Sequence, residues 1–118
     1  MIGKNSWLIA DGFMSNTKTE EYVSHEAVCV LNLSDVEAEI KITIYFEDAE
    51  PMRGFTAKCP PERTNHIRLD RIRNDKGDFI PKEKPYAVLI ESNTPIVCQH
   101  SRMDVSDSNM TLMTTIAY

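Results

Sequence analysis

In an extended segment alternate side chains point the same way, so Ile96, Cys98, His100, Arg102 and Asp104 share one face and Val97, Gln99, Ser101 and Met103 the other. The first of these faces changes along its length from apolar to ionisable. Its apolar half is suited to a core, and its end brings an imidazole, a guanidinium and a carboxylate into a row. Such groups can donate to and accept from a carboxylate, a hydroxyl or a sugar. The two other histidines sit differently. His25 shares a face with Val23, Ala27, Cys29 and Leu31, with Glu26 on the opposite face, which is the setting of a core histidine. His66 alternates with Ile67 and lies beside Thr64 and Arg68, so it reads as exposed or lining a cleft.

An alternative is a metal-dependent enzyme of the jelly-roll kind, in which His25, His66 and His100 converge on a metal with Glu26 or Asp104, but no HxH or HxxxH spacing supports this and no metal is expected. Nucleophilic catalysis has no local signature either. There is no Gly-x-Ser-x-Gly, no Cys adjacent to a His, and only four glycines to build a phosphate-cradling loop. These patterns point to a binding protein, with no catalytic residue and no cofactor assigned.

The elements that must hold these residues are strands. Ala38, Ile40, Ile42, Ile44 and Phe46 alternate with Glu37, Glu39, Lys41, Thr43 and Tyr45, the period of a strand with one buried and one wet face. Further strands are expected at Trp7–Ala10, Tyr22–Leu31, Arg53–Lys58, Thr64–Leu69, Tyr86–Glu91, Ile96–Arg102 and Met110–Tyr118. Ser92-Asn93-Thr94-Pro95 reads as a tight hairpin connection, Asp70–Arg73 as one helical turn, and residues 74–85 as a long surface loop. About eight short strands in 118 residues, with no amphipathic helix, predict a single all-β domain over 1–118: an antiparallel β-sandwich, jelly-roll-like. The last strand is apolar or Thr on both faces, which favours a covered position or a subunit contact and hence a homo-oligomer.

Composition narrows the function classes. The net charge is −5, and residues 20–50 hold nine carboxylates against Lys41 alone. Such a body repels a phosphate backbone, and the short basic run Arg63, Arg68, Arg71 and Arg73 is a thin basis for nucleic-acid binding. No apolar stretch reaches the length of a membrane helix, and the N-terminal residues lack a secretory pattern, so a cytoplasmic location is expected. Cys29, Cys59 and Cys98 form no CxxC, and a reduced thiol in an apolar strand behaves as a small hydrophobe.

A series of phrases, taken in order, resembles the sensory rhodopsin transducer family. It runs through Trp7-Leu8-Ile9-Ala10-Asp11-Gly12, Ser24-His25-Glu26, Tyr45-Phe46 with Asp48 and Glu50-Pro51, and Arg63-Thr64 with His66-Ile67-Arg68. It continues through Pro85-Tyr86-Ala87, Ile90-Glu91-Ser92, Pro95-Ile96-Val97, Gln99-His100, Arg102, Asp104 and Thr115-Ile116-Ala117-Tyr118. The resemblance implies a small β-sandwich that assembles as a tetramer. It also implies either a membrane photoreceptor as partner or a small polar ligand, a sugar or sugar acid. His25, Glu26, Arg63, His66, Gln99, His100 and Arg102 would then be the polar residues of a ligand cleft.

Overall fold

A computed structural model describes residues 2–118. Among the described residues there are seven strands and no helix: β1 (Lys4–Gly12), β2 (His25–Asn32), β3 (Ala38–Phe46), β4 (Met52–Cys59), β5 (Arg63–Arg68), β6 (Tyr86–Asp104) and β7 (Thr111–Ile116). All pair antiparallel, in the order β4-β3-β6-β2-β5, with β1 and β7 also on β6. The fold is all-β and sandwich-like, as the alternation predicts.

The expected count of eight falls to seven because the anticipated hairpin at Ser92–Pro95 does not form. Tyr86–Asp104 is one strand of 19 residues whose halves pair with other strands and not with each other. The first half lies between β1 and β3, and the second between β2 and β7. A straight strand of this length would span about 60 Å, yet the longest dimension of the molecule is 43 Å. The strand therefore bends back, carrying the chain from one layer to the other. Its inward parity survives the bend: Tyr86, Val88, Ile90, Thr94, Ile96, Cys98 and His100 are all buried.

Backbone groups at the bend are satisfied by amide side chains in place of a turn. Asn93 Oδ1 accepts from the Glu39 N–H at 2.7 Å, Asn93 Nδ2 donates to the Glu37 carbonyl at 3.2 Å, and Asn5 Nδ2 donates to the Ser92 carbonyl at 3.0 Å. Around β6, the inward residues Ala38, Ile40, Ile42 and Ile44 of β3 and Val28 and Val30 of β2 complete the core. The thiols of Cys59 and Cys98 lie within it, and burial pushes Cys98 up to about 12. The segment expected as a helical turn forms a single turn in which the Arg71 and Ile72 N–H groups both donate to the Arg68 carbonyl, at 3.2 and 3.3 Å.

β7 differs from the rest, because all six of its residues are exposed. Burial thus separates two kinds of apolar side chain. Ile90→Ala should cost about 2–5 kcal/mol by opening a core cavity. Leu112→Ala should change the stability of the dilute monomer by under about 0.5 kcal/mol. Urea unfolding of both variants at low concentration checks the contrast.

Candidate functional site

The inner face of β2 starts with a carboxylate, not with an aliphatic residue. Glu26 is fully buried and precedes Val28 and Val30 on the same face. Its Oε2 accepts from the Phe13 backbone N–H at 3.0 Å and from Arg102 Nε at 2.5 Å. Its Oε1 accepts from the Tyr86 hydroxyl and lies 3.1 Å from His100 Nε2. That last approach is off the line of a hydrogen bond, so the buried Nε2 keeps an ion-pair distance without a directed partner. Arg102 continues the network outward, its Nη2 donating to the Asp11 carbonyl at 3.0 Å and approaching Asp11 Oδ1 at 3.4 Å.

Electrostatics follow from this geometry. Burial alone would raise the Glu26 pKa, but the close His100 ring and the hydrogen bonds from Tyr86, the Phe13 N–H and Arg102 hold it below the ordinary carboxylate value. Burial, together with the neighbouring Glu26 charge, moves Tyr86 upward, which keeps its proton on the phenol. A carboxylate that accepts three hydrogen bonds and whose pKa is lowered is a poor proton acceptor. Glu26 is an anchor joining the end of β1, the start of β2 and both ends of β6.

Two local features let the anchor form. The pairing of β1 with β6 shifts register between Ile9 and Gly12, which directs Asp11 toward Arg102 and the Phe13 N–H toward Glu26. Gly12 is needed for space: a Cβ there would lie 2.4 Å from the Tyr86 ring.

A cleft of about 280 Å³ opens beside the anchor, between β1 and β7. His100 lines it at the floor, Ile9 and Met113 contribute apolar walls, and Asp11 and Thr115 contribute polar groups. The two strands meet at one point, where Leu8 N–H donates to the Tyr118 carbonyl at 2.6 Å and Tyr118 N–H donates to the Leu8 carbonyl at 2.9 Å.

The structure divides the seven expected site residues. Glu26, His100 and Arg102 come together at the anchor. His25 does not, and its expected burial is corrected: it stands on the outer face with its Nδ1–H donating to the Val23 carbonyl at 2.7 Å, while Glu26 takes the core face. Gln99 and His66 also face outward, both opposite Cys29 in adjacent ladders. Arg63 lies at the start of β5, donating to the Glu62 carbonyl at 3.0 Å. The three imidazoles therefore do not meet. Among the described residues, no three His, Cys, Asp or Glu side chains are grouped to hold a metal ion. Sequence reasoning missed Tyr86, Asp11 and the Phe13 N–H. The signal for Tyr86 was its shared parity with Val88 and Ile90.

The family model for the Anabaena sensory rhodopsin transducer matches residues 2–118. The chain belongs to the sensory rhodopsin transducer family. Among solved structures, Thermotoga maritima 1070 is 42% identical, with a TM-score of 0.90 over 100% of this chain and 96% of that one. The Anabaena sensory rhodopsin transducer is 39% identical, with a TM-score of 0.77 over 87% of this chain and 90% of that one. Comparison with curated proteins found no match. As a member of this family the protein is a transducer-type domain, and no helix among its described residues is long and apolar enough to cross a membrane.

The anchor has an acid-stability signature. Because the Glu26 pKa is lowered by folding, its contribution is complete above the unfolded carboxylate value of about 4.3. The contribution is lost as pH falls through the folded value. Chemical denaturation from pH 7 to 3 should show a steeper loss in the native protein than in Glu26→Gln. Glu26→Ala, which strands Arg102 and Tyr86, should cost about 3–5 kcal/mol at pH 7. Gly12→Ala should also destabilise, through displacement of Tyr86.

Proposed function

We propose that this domain is a non-catalytic, cytoplasmic sensor that binds a small polar ligand in the cleft between β1 and β7 and relays occupancy to a partner. The observation that carries the reading is the cleft itself. A buried imidazole with no directed hydrogen bond on Nε2 lines an opening whose other polar groups, Asp11 and Thr115, suit ligand hydroxyls. A sugar fits this chemistry better than a sugar acid, because the Arg102 guanidinium already serves the Glu26 carboxylate and the Asp11 carbonyl. His25, Arg63, His66 and Gln99 lie outside this cleft, and Glu26 and Arg102 stand behind it as the anchor, so of the seven expected residues His100 is the one in its lining.

Relay requires that the occupied cleft alter a surface, and β7 supplies one. Met113 and Thr115 line the cleft, Ile116 borders it while 79% exposed, and Leu112, 70% exposed, stands outside it. Across β7, the second half of β6 (97–103), β2 and β5 no outward-facing position carries a carboxylate, although the chain has a net charge of −5. An acid-free sheet face on an acidic protein suits packing against a further copy, in keeping with the tetramer implied by the family resemblance. A second reading is an adaptor for a membrane photoreceptor without a ligand of its own. It is favoured by the 39% identity to the Anabaena sensory rhodopsin transducer.

A thermal-shift screen against neutral sugars and sugar acids separates these readings. A neutral sugar held at about 100 times its dissociation constant should add about 2.7 kcal/mol of stability. Thr115→Trp, which fills the cleft, should remove that response. No response from any sugar, together with retention of the protein on a microbial sensory rhodopsin in nanodiscs, would favour the adaptor.

A further inference from the structure

A sheet edge without protection is a template for another strand, and proteins guard such edges with charges, prolines, bulges or cover. Three of the four edges here are guarded. β4 carries Arg53, Lys58 and a left-handed Gly54 at φ 87°. β5 carries Arg63, His66 and Arg68 after Pro60-Pro61. β1 carries Lys4 and Asp11 and two register shifts. β7 has none of these devices, and from Ser108 to Tyr118 there is no charged residue.

The backbone of β7 is also open. Ala117 N–H donates to the Cys98 carbonyl on β6 at 3.4 Å, whereas Tyr118 N–H turns to Leu8. Hydrogen-bonding direction alternates along an antiparallel strand, so Leu112, Thr114 and Ile116 direct their N–H and C=O groups away from β6. The ladder begun at Leu8 and Tyr118 would next join Ala10 to Ile116, but no hydrogen bond links them. The β1 bulge follows at that point, and the cleft occupies the gap. Asp11 is the charged carboxylate on the cleft lining, with its side chain 89% exposed.

We propose that the partner to which this domain relays docks as an extended segment on the free edge of β7, placing a basic residue beside Asp11 and alternating apolar and hydroxyl side chains along Leu112–Ile116. Main-chain bonds to β7 supply the docking, and the salt link to Asp11 sets direction and register. The inference rests on the relay reading above and names its partner. The segment would roof the cleft, so ligand and partner are sensed by the same strand.

The test presents the full-length protein to a phage-displayed random-peptide library, with selected peptides synthesised and titrated by fluorescence anisotropy. Expected peptides alternate apolar and hydroxyl residues and carry Lys or Arg. Thr114→Pro removes an N–H aimed at the free edge and no bond to β6, so it should weaken binding by about tenfold or more. Thr114→Ala should bind as the native chain does, and Asp11→Lys should lose the preference for a basic residue. Amide exchange on the native chain covers the case in which Thr114→Pro misfolds: bound peptide should protect the amides of Leu112, Thr114 and Ile116. Failure to select any peptide, or protection elsewhere, overturns the proposal. So does concentration-dependent protection of those three amides without peptide, which would place a second copy on the edge. A sugar response without peptide binding sinks only the docking site, and peptide binding without a sugar response sinks only the ligand.

Discussion

One buried charge determines how the chain closes. Taking a carboxylate out of water costs several kcal/mol, and that cost is offset only when its lone pairs are filled with good geometry. Glu26 meets this condition through the Phe13 N–H, the Tyr86 hydroxyl and Arg102, with the His100 ring at ion-pair distance. Tyr86 and Arg102 belong to the same strand, 16 positions apart. Both can reach one carboxylate only if β6 returns on itself, so the interaction ties the bend of β6 to the entry of β2 and the exit of β1. Apolar packing can bring these elements near one another, but it is tolerant of register. A directional, charged contact is not.

The same dependence explains which parts of the fold were legible in the sequence. Alternation in β3 identified the strand and its inward residues, because every second position from Ala38 to Ile44 is apolar and the intervening Glu39 and Lys41 are charged. Alternation cannot name a strand's partner. Ser92-Asn93-Thr94-Pro95 has the composition of a turn, yet the structure meets the backbone needs there with Asn93 and Asn5. A local hairpin was thus read where the chain instead passes between layers. The distinction lies in contacts with residues 37–39 and residue 5, which no local window contains.

β2 shows a second limit. His25, Ala27, Cys29 and Leu31 look like the core set by hydropathy, with Glu26 opposite, but the opposite set of Glu26, Val28, Val30 and Asn32 is the buried one. Both ends of that inner face are polar. Asn32 closes the far end, donating to the Val36, Cys59 and Pro60 carbonyls and accepting from Ser34. A face with polar residues at each end and only two aliphatic residues between them loses a comparison of hydropathy with its neighbour. Burial there is decided by bonding capacity. The Glu26, His100 and Arg102 part of the site was recoverable from residue type, while its supports, the Phe13 N–H and the Gly12 gap for the Tyr86 ring, depend on backbone position.

Stability in this domain is distributed in a way that bears on the proposed relay. The anchor and the core fix three sides of the cleft. The fourth side, β7, has no buried residue of its own and is held by its ladder to β6, by Ala117 and by the Leu8–Tyr118 pair. Elements with few buried contacts open at low free energy, and moving parts of proteins come from that class. Thr115 sits directly opposite His100 in the β6–β7 ladder, so the most rigid and the least buried parts of the structure are adjacent residues in one pair. A contact made in the cleft bears on both at once, and the anchored side cannot yield without uncovering the Glu26 charge. In the proposed relay, displacement would therefore fall on β7, none of whose own residues is buried.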